Sequence, residues 1–263
     1  MKLYHREYGH GQTKLVILHG ILGSSRNWHT VAGELSQHFH VIVPDLRNHG
    51  RSPHTKHSIQ LMQADVLELL DRLELKPTFL LGHSMGGLVA MKFAFHHPKR
   101  LNALIVEDIA PVAFLNTMDD VFDAMKSVEL AKVKRREDAD DQLLERVKEP
   151  SVRQFLLQNL KRQKDGTYDW QCNLPELHRF VQAEERFEPA ANEKFTGPTL
   201  FVGGERSEHR IDEHQNVISR HLPNSERRTI ANAGHWVHVD AIDEFVQTVT
   251  GFVKKISESH GDA

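Results

Sequence analysis

Cysteine is almost missing from this 263-residue chain: Cys172 stands alone, so no internal disulfide can form. An excess of positive charge is missing too. Lys plus Arg number 33 against 36 Asp plus Glu, a net charge of -3, which leaves nothing to neutralise a phosphate backbone and sets nucleic acid aside as a partner. The N-terminal MKLYHREYGHGQTK lacks the apolar run that a secretory signal or a membrane span needs, and the chain reads as soluble and cytoplasmic. Neither HExxH nor paired CxxC spacing occurs, so neither a metal nor a redox cofactor is expected. Nineteen histidines are present all the same. His96 and His97 are adjacent in a helical pattern, about 100° apart around its axis, and do not face one ligand as an i, i+4 pair would. The histidines as a group are read as solvated surface residues.

With 39% hydrophobic residues, a chain of this length can bury one large core. Short runs rich in Val, Ile, Leu and Phe recur at KLVILHG, HVIVPD, TFLLGHS, LNALIVED and TLFVGG. They are continuous rather than alternating, as strands buried on both faces are. Helical patterns lie between them. Ile59, Met62, Val66, Leu69 and Leu73 repeat at spacings of three and four behind a Ser58 N-cap, and MGGLVAMKFAFHH follows the third strand with almost no loop. Strands alternating with helices predict an α/β architecture with a mostly parallel central sheet flanked by helices.

The alternation stops after residue 110 and resumes near 198. Helices are expected near 118–130, 137–148 and 150–163, and a helical lid inserted between two strands fits this stretch better than an independent domain, which lacks apolar residues for a core of its own. The expected division is therefore a core of residues 1–110 and 198–263 with a lid at 111–197. A helix from Asp212 to about His221, a strand near 227–230 and a last helix from about Asp240 complete the pattern.

GHSMGG, Gly82 to Gly87, sits between a buried strand and a helix. A serine at the apex of so sharp a turn adopts strained dihedrals, and its neighbours two residues away on either side must be small for the backbones to approach. Gly82 and Gly86 meet that need. The turn would lift the Ser84 hydroxyl above the sheet and aim the Met85 N–H, at the helix start, toward an oxyanion formed there.

Taken together, GHSMGG, HGILGS (19–24), DLRNHGRS (45–52), EDIAP (107–111) and AGHWVH (233–238) resemble an α/β-hydrolase, and more closely the YbfF-type bacterial esterases and their eukaryotic abhydrolase relatives. The resemblance spans about residues 15–252. It implies the α/β-hydrolase fold, with the Ile21 N–H completing an oxyanion hole with that of Met85; Leu22 is the alternative donor. Leu22 and Trp236 are candidates for the wall of a substrate pocket.

A serine hydroxyl needs a base within hydrogen-bond reach. His235 is that base, since it follows the last expected strand where the family places it, with Gly234 easing the approach of its loop. The ring needs a carboxylate on its other nitrogen. In most α/β-hydrolases this acid follows the strand matched by TLFVGG, where the chain offers Glu205, Glu208 and Asp212 but no aspartate just after the glycines. Asp108 closes the preceding strand, and neighbouring strands lie only about 4.8 Å apart, so an acid on either could reach one imidazole. The resemblance selects Asp108; Glu205 is the main rival and Glu107 the third choice.

Arg47, Asn48 and His49 are expected to brace loops near the site, with His238 supporting the loop of the base. The run KVKRRED (132–138) is most simply a solvated lid face, although its positive charge would also suit an anionic substrate such as a coenzyme A ester. The expected function is cleavage of a small-molecule carboxylic ester or thioester through an acyl-enzyme, without a cofactor. A lyase or carbon–carbon hydrolase would keep the same triad, and a non-catalytic ligand-binding homologue is the alternative outside catalysis. Dehalogenases and epoxide hydrolases on this fold use a carboxylate nucleophile, which Ser84 argues against.

Overall fold

In the computed structural model, residues 1–112, 118–183 and 187–261 are described. The strands are β1 (His5–Tyr8), β2 (Lys14–Leu18), β3 (His40–Pro44), β4 (Thr78–His83), β5 (Leu101–Glu107), β6 (Leu160–Arg162), β7 (Tyr168–Trp170), β8 (Thr199–Gly204) and β9 (Ser225–Ile230). The helices are α1 (His29–Leu35), α2 (Ile59–Arg72), α3 (Met85–His96), α4 (Asp119–Ser127), α5 (Arg136–Leu144), α6 (Pro150–Leu157), α7 (Leu174–Gln182), α8 (Gln215–His221), α9 (Val237–Asp240) and α10 (Ile242–Gly261). Seven strands form one sheet in the order β1-β3-β2-β4-β5-β8-β9, parallel throughout except for β1, which pairs antiparallel with β3.

The continuous apolar runs follow from a sheet covered on both faces. Successive side chains point to opposite sides: Val16, Leu18, Leu80, Leu104 and Val106 enter one hydrophobic cluster, while Leu15, Ile17, Phe79, Leu81, Ala103 and Ile105 enter another. The first cluster takes in α2 and α3, the second α1 and α10. Helix α2 begins as its sequence predicts, with the Ser58 hydroxyl accepting the Leu61 N–H at 3.2 Å.

Between β5 and β8 lie α4, α5, α6 and α7. Their buried residues Phe122, Met125, Leu143, Leu156 and Leu157 belong to the same cluster as Leu18, Met85 and Leu88, so this segment shares the core of the sheet rather than building its own. Three expectations need correction here. The third helix ends at Leu157 rather than near 163, because Gly166 (φ 90) turns the chain and β6 and β7 pair as a short antiparallel hairpin. Helix α7, led by Pro175, was not anticipated. The polar strand β1 was not anticipated either, since an edge strand carries no apolar run. The expected lid also covers residues 113–117 and 184–186, which lie outside the described residues. Among the described residues no helix is long and apolar enough to cross a membrane.

Candidate active site

Three loops meet at the C-terminal edge of the sheet. Ser84 follows β4 directly and caps α3 with φ 52 and ψ -121, a left-handed backbone that a non-glycine residue adopts at a cost. The crossing at this elbow is very close. A Cβ on Gly86 would lie 2.3 Å from the carbonyl oxygen of Leu18, and one on Gly82 would lie 2.2 Å from that of Gly86. Both positions therefore require glycine.

Asp108 follows β5 with φ 52, and its carboxylate is 1% exposed. His235 Nδ1–H donates to Asp108 Oδ2 at 2.7 Å, which leaves Nε2 as the ring's proton acceptor. Two further donors among the described residues come from the end of β8 and the loop that follows it: the Gly204 N–H donates to Oδ1 at 3.1 Å and the Ser207 hydroxyl donates to Oδ2. The loop that lacks an aspartate thus supplies donors to the aspartate of its neighbour strand. Glu205 is turned away and accepts the Asn232 N–H at 2.9 Å. Ser84 and His235 line one cavity of about 490 Å³, with Ile21, Trp236, Phe155, Val121 and Leu156 among its apolar walls.

Met85 opens α3, so its N–H belongs to the first turn, where no intrahelical acceptor exists. Ile21 lies in the turn after β2, and among the described residues its N–H has no acceptor. Leu22 needs correcting on both of its proposed roles. Its N–H donates to His49 Nε2 at 3.1 Å, its side chain is 1% exposed in the core, and it is not among the residues lining the cavity. Trp236 does line it, 5.2 Å from the Phe155 ring.

Below Ser84 and Asp108 a second buried layer holds the loop of His235. His83 and Glu107 are register partners on β4 and β5, so their side chains lie side by side on the α1 and α10 face. His83 Nε2–H donates to the His235 carbonyl at 3.0 Å. Glu107 Oε1 accepts the His238 N–H at 2.9 Å and the His238 Nδ1–H at 2.8 Å, and His238 stacks on Trp28 at 4.0 Å. Ser84 and Asp108, each at a strand end, are thus each preceded by a residue that grips the turn 235–238. Glu107 is therefore committed to His238, not to His235. His209, absent from the sequence reading, lines the cavity with its ring 4.4 Å from that of His235, and burial, then the nearby His235, push it down to about 4.

The reading of the histidines as solvated is overturned for seven of them, since His19, His49, His57, His83, His178, His221 and His238 are buried. A neutral imidazole offers one donor and one acceptor, which suits a bridge between backbone groups. His19 Nδ1–H donates to the Gly20 carbonyl at 2.8 Å while Nε2 accepts the Leu46 N–H at 2.9 Å. His49 does the same between Arg47 and Leu22. Arg47 meanwhile pairs with Asp65 at 2.6 Å, and Asn48 Oδ1 accepts from Asn173 Nδ2 at 3.0 Å, so this turn braces the loops around the site.

Burial holds His19, His49 and His83 below the ordinary range and pushes His57 down to about 3. The sign follows directly. Below pH about 6.5 the unfolded chain takes up protons that the folded chain refuses, so each such histidine removes up to about 1.4 kcal/mol of stability per pH unit, for His57 until about pH 3. The melting temperature is expected to fall steadily from pH 7 to pH 4.5 in calorimetry; an unchanged value across that window would contradict the neutral bridges.

Two groups of side chains are close enough to hold a metal among the described residues, His83 with Glu107 and His238, and Asp108 with His209 and His235. In each, an imidazole N–H donating to a carboxylate already accounts for the approach.

Known proteins match over most of the chain. The profile of the alpha/beta hydrolase fold family matches residues 14–242. The sn-1-specific diacylglycerol lipase ABHD11 of Mus musculus is 38% identical over 248 residues, covering 91% of this chain and 80% of the lipase. Esterase YbfF of Escherichia coli is 28% identical over 249 residues, covering 93% and 94%. Among solved structures, a marine microorganism esterase superposes with a TM-score of 0.92 at 34% identity, covering 95% of this chain and 99% of the other.

Proposed function

The chain belongs to the alpha/beta hydrolase fold family and is a hydrolase of carboxylesterase type, and from that premise we propose that it cleaves carboxylic esters or thioesters through an acyl-enzyme. Ser84 is the nucleophile. His235 Nε2 takes the hydroxyl proton as Oγ attacks the acyl carbon, and Asp108 holds the ring and stabilises the imidazolium. The amides of Ile21 and Met85 bind the oxyanion as it forms, and His235 returns its proton to the departing alcohol or thiol. Water then enters, is deprotonated by His235 and releases the acid. The observation that carries this reading is the 2.7 Å bond from His235 Nδ1 to the buried Asp108 carboxylate, on a histidine that lines one cavity with Ser84.

The segment 111–197 acts in this reading as a lid, since Val121, Phe155 and Leu156 form part of the apolar wall. A cavity of about 490 Å³ suits a short or medium acyl chain. Each methylene buried there is worth about 0.8 kcal/mol, or about fourfold in kcat/KM. Among p-nitrophenyl esters, kcat/KM is expected to rise from acetate to hexanoate and to fall for palmitate. A fluorophosphonate should label the wild type on Ser84 and leave Ser84→Ala untouched. Failure of the folded wild type to label or to turn over any of these esters would remove the proposal.

A further inference from the structure

Beside the acyl cavity lies a second concavity of about 520 Å³, and its positive side chains come from three separate parts of the chain. Arg6 belongs to β1, Arg26 to the loop before α1 and Arg136 to the first turn of α5, within the basic run that the sequence singled out. No carboxylate is among the described lining residues. Burial, then the charge of Arg26, hold Arg136 below its ordinary value, so the two guanidiniums feel one another directly.

Of the acids that approach from outside, Asp45 and Asp140 are already engaged. Asp45, which attracts Arg6, accepts the N–H groups of Ser25 at 2.6 Å and Arg51 at 2.7 Å. Asp140, near Arg136, accepts Arg153 Nε–H at 2.7 Å, and Glu137 is exposed. Arg6 Nε is buried and has no hydrogen-bond partner among the described residues. Arg26 and Arg136, with no acid lining the space between them, repel one another, and a bound oxyanion reverses that balance because guanidinium forks match its oxygens.

The cleft adjoins the reaction site. Asn27 lines both spaces, and its Nδ2–H donates to Gln158 Oε1 at 3.0 Å, so this amide pair stands between them.

We propose that Arg6, Arg26 and Arg136 form an oxyanion subsite that binds a phosphate group, carried either by the alcohol or thiol portion of the substrate or by free phosphate. The substrate form of this inference rests on the ester-hydrolase reading; the binding form does not.

The test pairs two esters with one acyl group, monobutyrin and its counterpart phosphorylated on the glycerol, with calorimetric titration of inorganic phosphate beside them. Wild type is expected to favour the phosphorylated ester about tenfold in kcat/KM. That preference should vanish in Arg26→Gln/Arg136→Gln, survive in part in Arg136→Lys and shrink as salt rises. Melting curves of the variants establish that they are folded. Arginine-dependent binding of phosphate without any preference between the esters identifies free phosphate as the ligand. No preference together with no arginine-dependent phosphate binding overturns the proposal. Loss of turnover on both esters in a wild type that still binds phosphate would count against the hydrolase reading alone.

Discussion

Asp108→Asn is expected to lower kcat by roughly 10⁴-fold while KM changes little, the magnitude seen when a triad acid is exchanged for its amide. The reason lies in the donors around the carboxylate. His235 Nδ1–H, the Gly204 N–H and the Ser207 hydroxyl all donate to it. An asparagine brings one acceptor and one NH₂ group, so in either orientation a donor faces a donor. The least costly resolution moves the His235 proton from Nδ1 to Nε2, and a ring protonated at Nε2 cannot take the proton of Ser84. Glu205→Gln serves as the control: that carboxylate meets only the Asn232 N–H among the described residues and is exposed, so its kcat should stay within about twofold of wild type. Both variants are measured on one activated ester alongside their melting temperatures. Retention of activity in Asp108→Asn with loss in Glu205→Gln would transfer the role of the acid to Glu205.

The contrast between these two acids shows what the sequence can carry. Ser84 is legible because its requirements are local: two glycines, a strand before and a helix after. Asp108 is legible only through the spacing of neighbouring strands and a family resemblance, since nothing within ten residues of it mentions His235. The grip of Glu107 on His238 and of His83 on the His235 carbonyl depends on the register of β4 against β5 and on a turn more than 120 residues away. No local pattern encodes it. Ser207 and His209 stand in the loop after β8, and nothing in their residue types marks them as partners of Asp108 and His235. The buried histidines were misread for a related reason: burial of a neutral imidazole depends on having one donor and one acceptor in place, and those partners are backbone groups that a residue count does not reveal. The hairpin of β6 and β7 differs again: Leu160–Arg162 lies inside the helix expected at 150–163, and the turn residues Lys164, Asp165 and Gly166 begin just past its end.

The second large effect concerns the elbow itself. Ser84→Gly and Ser84→Ala are both expected to lose about 10⁵- to 10⁶-fold in kcat, as removal of a nucleophile does, yet they should separate in stability. Ser84 sits at φ 52 and ψ -121, and the contacts of Gly82 and Gly86 with neighbouring backbone leave the turn no room to relax. A residue held there stores about 1–3 kcal/mol. Alanine keeps the Cβ and therefore the strain. Glycine removes it, at a cost of about 0.5–1 kcal/mol for the added freedom of the unfolded chain. The net expectation is that Ser84→Gly is more stable than Ser84→Ala by about 1 kcal/mol, or about 2 °C in melting temperature for a chain of this size. Calorimetry of the two inactive variants isolates the strain from any contact of the hydroxyl, because both lack it. A melting temperature lower for glycine than for alanine by the full cost of that added freedom would mean that the elbow bears no stored energy. The tight crossing would then serve only to lift the serine side chain, and the stability of the fold would not be opposed to the placement of its nucleophile.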